Sequence, residues 1–270
     1  MARHIVKVSA VVLRTRRMGE TSKLVTLYTA EYGKLKVVAK GARKPRSRYG
    51  AALELFNEIQ AVCYLRDGRD LHTLSDGDAS LTHPSLSRDM ERLVFASAAC
   101  ELIDSVTLEG ESNDRLFQCL TGVLRGLEEV RQAQLEPLFW YFQIRAASAL
   151  GYRPELVQCV SCRRHPDGSW RWFSAAHGGV VCSRCNAGGA IRMAGESLAF
   201  LARLQAIRTY KADVIPSLPQ GAEEIRDVLR HFLAHYGGGR GGLRALECID
   251  RLNGCTRVPA ASHDRLPAES

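Results

Sequence analysis

The sequence predicts an α+β fold in three parts: a small closed β-barrel at the N-terminus, an α-helical domain, and a four-cysteine segment inserted into the latter. Three observations carry this reading. Apolar residues alternate with period two through the first 80 residues, and from His83-Pro84 onward they recur with helical spacing. Between two of the helical stretches the period is lost, and two Cys-x-x-Cys pairs stand there. The implied boundaries are residues 1–80 for the barrel, 81–255 for the helical domain with its insertion at about 151–193, and 256–270 for a disordered tail.

The strands are justified in turn. Val6, Val8, Ala10 and Val12 keep one parity, and Leu24–Tyr28 is a β-prone run. Leu35, Val37 and Ala39 alternate with Lys34, Lys36 and Val38, and Lys40 continues the latter set, so one strand face is apolar and the other carries three lysines. Phe56–Leu65 and Leu71–Leu74 follow, joined across Asp67-Gly68, a hairpin signal. Five short strands in an open sheet would leave edges unpaired, which a closed barrel avoids.

Leu86, Met90, Leu93 and Val94 begin a helical face. Leu116, Cys119, Leu120, Val123, Leu124 and Leu127 form a full apolar stripe, repeated by Ile225, Val228, Leu229, Phe232, Leu233 and Tyr236. Leu135–Leu150, Ser197–Ile207 and Leu243–Leu252 are further predicted helices. Phe139-Trp140-Tyr141-Phe142, inside a helix, reads as core rather than as a base-stacking platform.

The four clustered cysteines are Cys159, Cys162, Cys182 and Cys185, two Cys-x-x-Cys turns separated by 19 residues. Each such turn points two thiolates at one place, and two turns complete the tetrahedron of soft ligands that Zn²⁺ prefers. Four sulfurs close the shell, so one structural zinc is expected rather than a catalytic one, with His165 and His177 spare. Metal ligation would supply folding free energy to a segment too short for a core of its own. The other five of the nine cysteines are scattered singly and read as buried free thiols of a reduced, cytoplasmic protein. No apolar run approaches membrane-spanning length, so no membrane association is expected.

Charge is strongly polarised. Residues 1–48 hold 13 basic and 2 acidic side chains, whereas the remainder holds 24 and 27. The density peaks in KLKVVAKGARKPRSRYG, where Lys34, Lys36, Lys40, Arg43, Lys44, Arg46 and Arg48 have no carboxylate among them. A barrel with a basic face and adjoining loop suits a groove that tracks the backbone of single strands. Arg14, Arg16 and Arg17 form a second tier of candidate nucleic-acid-binding residues. No Walker loop, HExxH or GxSxG motif is present. His231 and His235 lack the glutamate of a metalloprotease helix, and the Gly237–Gly242 run follows a helix, not a strand, so neither is a site. A non-enzymatic binding protein is favoured. The alternatives are a zinc-containing nucleic-acid-modifying enzyme and a scaffold whose basic face meets acidic protein partners.

The stretches MGETSKLVTLYTAEYGKLK (Met18–Lys36) and VVAKGARKPRSRYGAALELF (Val37–Phe56) resemble the bacterial recombination mediator family RecO. The Gly-Glu-Thr-Ser element, the Thr-x-x-x-Gly-Lys turn and the Lys-Gly-Ala-Arg-x-Pro-x-Ser-Arg loop carry that resemblance. It weakens after Tyr236. The resemblance implies an OB-fold, a helical domain and a zinc-binding insertion. It further implies a role in DNA repair and recombination: binding single- and double-stranded DNA, annealing complementary strands, and helping to load the RecA recombinase onto DNA coated by single-strand-binding protein. RecR and the acidic, Phe-ended C-terminal tail of single-strand-binding protein would be partners, and the location cytoplasmic and nucleoid-associated.

Overall fold

The computed structural model describes residues 3–166, 170–186, 188–208, 211–236 and 243–247. Strands β1 (Arg3–Met18), β2 (Ser22–Thr29), β3 (Gly33–Ala39), β4 (Glu58–Arg66) and β5 (Leu71–Leu81) close a barrel in the order β1-β2-β3-β5-β4. Every neighbouring pair is antiparallel except β3 with β5. Five strands with this order make an OB-fold. The long β1 pairs with β4 along its first half and with β2 along its second, and an irregularity between Val12 and Arg14 marks where it bends.

Val8, Ala10 and Val12 point into the barrel, as their parity predicts, and meet Leu27, Val37 and Ile59 there. The opposite parity of β1 is buried too at its middle, at Val11 and Leu13. Val11 and Leu13, with Tyr28 and Phe56, leave the barrel wall and join the core of the helical domain. A strand apolar on both faces has two cores to serve.

The helices that follow include α1 (Pro84–Arg88), α2 (Met90–Val106), α3 (Asp114–Glu129), α4 (Leu135–Ala149), α5 (Gly195–Ala206) and α6 (Ala222–Tyr236). Asp89 caps α2 by accepting from Arg92 N at 3.0 Å, and Asn113 caps α3 by accepting from Leu116 N at 3.0 Å. Phe139, Trp140 and Phe142 are fully buried, which confirms their core role. Met90 does not share the predicted face: it starts α2 with its side chain in solvent. The buried residues of α2 run from Val94 and Phe95 through Ala96, Ala98, Ala99 and Cys100 to Leu102 and Ile103, too broad a face to give a strong amphipathic signal. Of the predicted Leu243–Leu252 helix, 244–247 are helical, Leu243 precedes them, and 248–252 lie outside the described residues, as do Gly237–Gly242 and the tail.

The inserted segment forms a three-stranded sheet, β7-β6-β8, from β6 (Trp170–Ser174), β7 (Gly179–Val181) and β8 (Ile191–Ala194). It is not a separate globule. Leu156, Phe173, Val180 and Met193 belong to the helical core, and Phe173 meets Phe232 of α6 edge-on at 5.9 Å.

Polar contacts fix the barrel against the helices at two places. At one, Gly33 and Lys34 bridge to Glu109, and Gly110 N donates to Lys34 O at 3.3 Å. At the other, the buried Glu58 of β4 accepts from Arg125 Nε at 2.8 Å and Nη2 at 2.5 Å, with His83 Nε2 3.6 Å away. Burial would raise the Glu58 carboxyl, but His83 and Arg125 outweigh it and bring it down to about 2. A carboxyl held below its ordinary value stabilises the fold above about pH 4.5 and loses that effect as pH falls toward 2. Glu58→Gln is therefore expected to cost about 3 kcal/mol at pH 7. The gap from the unsubstituted protein should narrow between pH 4.5 and 2, as read from denaturant midpoints.

Candidate nucleic-acid interface and metal centre

The ten candidate DNA-binding residues divide by environment. Lys34, Lys36 and Arg14 do not form a free face. Lys34 is buried, and its Nζ donates to Asp104 O at 2.7 Å and lies 3.3 Å from Asp104 Oδ1. Arg14 Nη2 pairs with Asp104 Oδ2 at 2.9 Å, and Lys36 pairs with Glu109. Lys34 and Lys36 share one face of β3, but that face meets the helical domain, whose acidic groups neutralise both, while Lys40 lies just past the end of the strand. The motif spacing carried no trace of Asp104 and Glu109, which stand some 70 residues downstream.

Lys40, Lys44, Arg46 and Arg48 converge instead on an open groove of about 790 Å³ at the far end of β3. Its opposite wall is the β1–β2 turn, with Met18, Gly19, Thr21 and Ser22, and no acidic side chain lines it. Among the described residues none of these four cations forms an ion pair, nor do Arg16 and Arg17, exposed on the last turns of β1.

The loop that carries the groove's cations is fastened locally. Arg43 N donates to Thr21 O at 2.9 Å, and Arg43 Nη1 donates to Glu20 O at 2.6 Å and Gly19 O at 3.2 Å. Those acceptors are neutral carbonyls, so Arg43 ties the two walls together and keeps its charge. Lys23 pairs with Glu54 at 3.0 Å, Arg48 Nη1 donates to Ser75 O at 3.0 Å, and Tyr49 OH donates to Leu74 O at 2.8 Å. Gly19 and Gly41, both at positive φ, allow the turns on either side. Sequence reasoning found the cations but not their facing wall, although the Gly-Glu-Thr-Ser element is that wall.

A second concavity was not anticipated. Between α3 and α4 a cleft of about 620 Å³ gathers Arg115, Arg145 and Arg208 around Val123, Tyr141 and Phe142. Its arginines come from three separated stretches, so no local motif could disclose it.

The four cysteines converge as their spacing predicts. Their sulfurs all lie within 4.8 Å of one another, and Cys162 Sγ is 3.7 Å from Cys182 Sγ. That separation matches the edge, ~3.8 Å, of a tetrahedron with metal–sulfur bonds of ~2.3 Å. The β6–β7 hairpin aligns the two turns, and Val160 N donates to Val180 O at 2.9 Å between them. Arg163, at φ 61°, lets the first turn close in the left-handed region, and Cys159 N donates back to Arg164 O at 2.8 Å. His177 is engaged by Ser174 through Nδ1 at 2.9 Å.

Burial would raise the Cys159 thiol, but backbone N–H groups of Cys182, Cys162 and Ser161 outweigh it and bring it down to about 6. Cys185 moves oppositely, to about 12, under hydrogen bonds with the neighbouring sulfurs. Four thiolates at this spacing repel one another, and a divalent cation bound by all four removes the repulsion. The donor set therefore fits a closed metal centre. The single cysteines Cys63 and Cys100 are buried free thiols, and Cys119 is half-buried.

An OB-fold barrel bearing a basic groove, seated on a helical domain that holds a four-cysteine centre, defines the class of protein. Residues 1–81 match the family model described as recombination protein O N terminal, and residues 87–245 match recombination protein O C terminal. The chain belongs to the recombination protein O family. It is 34% identical to the DNA repair protein RecO of Symbiobacterium thermophilum over 250 residues, 91% of this chain and 96% of the relative. It is 34% identical to that of Anaeromyxobacter sp. over 251 residues (92% and 96%). With that of Alkaliphilus metalliredigens it shares 34% identity over 182 residues (67% and 72%). The name these relatives carry is that of a DNA repair protein and not of an enzyme. No helix among the described residues is long and apolar enough to cross a membrane.

Proposed function

We propose that this protein is a DNA-binding recombination mediator whose groove, between the β1–β2 turn and the loop after β3, holds the phosphate backbone. The observation that carries this is the convergence of Lys40, Lys44, Arg46 and Arg48 on one concavity that no carboxylate lines. Arginine suits bidentate phosphate contact and lysine a diffuse positive potential. Binding single- and double-stranded DNA there offsets phosphate repulsion, so complementary strands anneal without covalent chemistry or nucleotide hydrolysis. The family resemblance supports the rest of the role: RecR as partner, and loading of RecA onto DNA coated by single-strand-binding protein. The acidic, Phe-ended tail of that protein suits the cleft of Arg115, Arg145 and Arg208, where cations stand beside apolar walls. The metal is one structural Zn²⁺ on Cys159, Cys162, Cys182 and Cys185; four thiolates leave it no open position, so it holds the fold and does no chemistry.

With Arg43 retained as a fifth charge, log K for a single strand should fall against log[salt] with a slope of about −3.5. Fluorescence anisotropy of a labelled oligonucleotide across a salt series measures it. A slope near zero would show that phosphate neutralisation does not drive binding.

A further inference from the structure

We infer that the groove grips DNA by its phosphates alone and leaves the bases facing solvent, unstacked on protein and free to pair. This rests on the reading of the groove as the DNA site and specifies what part of DNA that site recognises. Single-strand-binding OB-folds ordinarily add aromatic side chains on which bases stack. Here residues 1–81 contain five aromatic side chains, Tyr28, Tyr32, Tyr49, Phe56 and Tyr64, and none lines the groove. Tyr28 and Phe56 are buried against the helical domain. Tyr49 is buried beneath the loop, with its hydroxyl bound to Leu74 O and the Arg48 guanidinium 5.7 Å above its ring. Tyr32 precedes β3 at its opposite end, and Tyr64 stands on β4 opposite Ile5 of β1.

The groove is lined instead by four cations, the hydroxyl residues Thr21, Ser22 and Ser47, two glycines, and the aliphatic Met18 and Val38. Cations, hydroxyls and exposed backbone N–H groups are the groups that bind phosphate, and they carry no base information. Two guanidinium groups line the groove: Arg48 is tied to Ser75 O and over Tyr49, and Arg46 stands exposed, where it can take phosphate in bidentate fashion. A strand so held presents its base edges outward, which is the geometry a second strand needs to anneal.

The test varies the ligand, to ask what part of DNA is held, and the groove, to ask where it is held. An oligothymidylate and an abasic deoxyribose-phosphate oligomer of equal length are titrated into the full chain and into the Lys40→Ala/Lys44→Ala/Arg46→Ala variant. The two oligomers should bind the full chain within about three-fold of each other, with the same salt slope, and both should lose affinity in the variant. Each stacked base would contribute roughly five- to 150-fold. An abasic oligomer weaker by ten-fold or more, while oligothymidylate still depends on the three cations, would overturn the inference and leave the groove as the DNA site. Oligothymidylate binding that the variant does not change, with the variant folded by circular dichroism, would overturn the groove reading itself.

Discussion

Gly33→Ala is expected to destabilise the protein by at least about 3 kcal/mol, more than alanine at any other glycine of the barrel, none of which would bring its Cβ closer than 3.7 Å to a neighbour. Gly33 opens β3 at φ +62°, where an L side chain is strained, and that alone costs about 1 kcal/mol. A Cβ there would also lie 1.9 Å from Glu111 O and 2.5 Å from Glu111 C. Those are backbone atoms of the segment that bridges to Gly33 and Lys34, so they cannot rotate away as a side chain does. Relief requires moving the segment, and with it Glu109, the partner of Lys36. Gly68→Ala is the control: its φ is +67°, and nothing lies within 4 Å of the added carbon. Denaturant midpoints for the two variants separate the conformational cost, present in both, from the collision, present only at Gly33. Equal losses at both positions would mean that the barrel and the Glu109–Glu111 segment are not packed as described.

The second large effect concerns the metal centre. Purified under reducing conditions, the protein should carry close to one equivalent of zinc, and Cys182→Ser should lose it. A lone zinc finger without its metal unfolds outright. Here the outcome should be partial, because Phe173, Val180 and Met193 are anchored in the helical core by a cluster that includes none of the four cysteines. The small cluster of Cys159, Val181 and Cys182 has no such anchorage. The variant should therefore keep its helical circular dichroism, while amide exchange rises at Cys159–Arg164 and Cys182–Asn186. Metal-free wild-type protein with full protection at those amides would contradict the assignment of the four thiolates to an ion.

What could be read from the amino acids alone depended on how local each signal was. The barrel strands announce themselves by alternation, and α3 and α6 by an apolar stripe, because each buries one face. The Ala-rich α2 is buried more widely and shows only its start, which is why Met90 seemed to belong inward. The cysteine turns are local in sequence and close in space, so their convergence was legible. Lys34 and Lys36 were not legible as clamp residues, since a lysine written into a strand looks the same whether a phosphate or a carboxylate accepts its hydrogen bond. The second core on β1 is hidden for the same long-range reason: Val11 and Leu13 lie outside the parity of Val6, Val8, Ala10 and Val12, and they pack into the core of the helical domain. The groove's cations were visible as a run, whereas the turn that faces them became meaningful only once Arg43 was seen bonded to it.

The claim on which the functional reading depends is that the unpaired cations of the groove, and not the clamped ones of β3, meet phosphate. Anisotropy titration of a labelled single strand across a salt series, with the Lys40→Ala/Lys44→Ala/Arg46→Ala variant beside the unsubstituted protein, tests it most directly. Removing three of five charges should weaken binding and flatten the slope of log K against log[salt] from about −3.5 to about −1.4. A folded variant whose affinity and slope match the unsubstituted protein would contradict it.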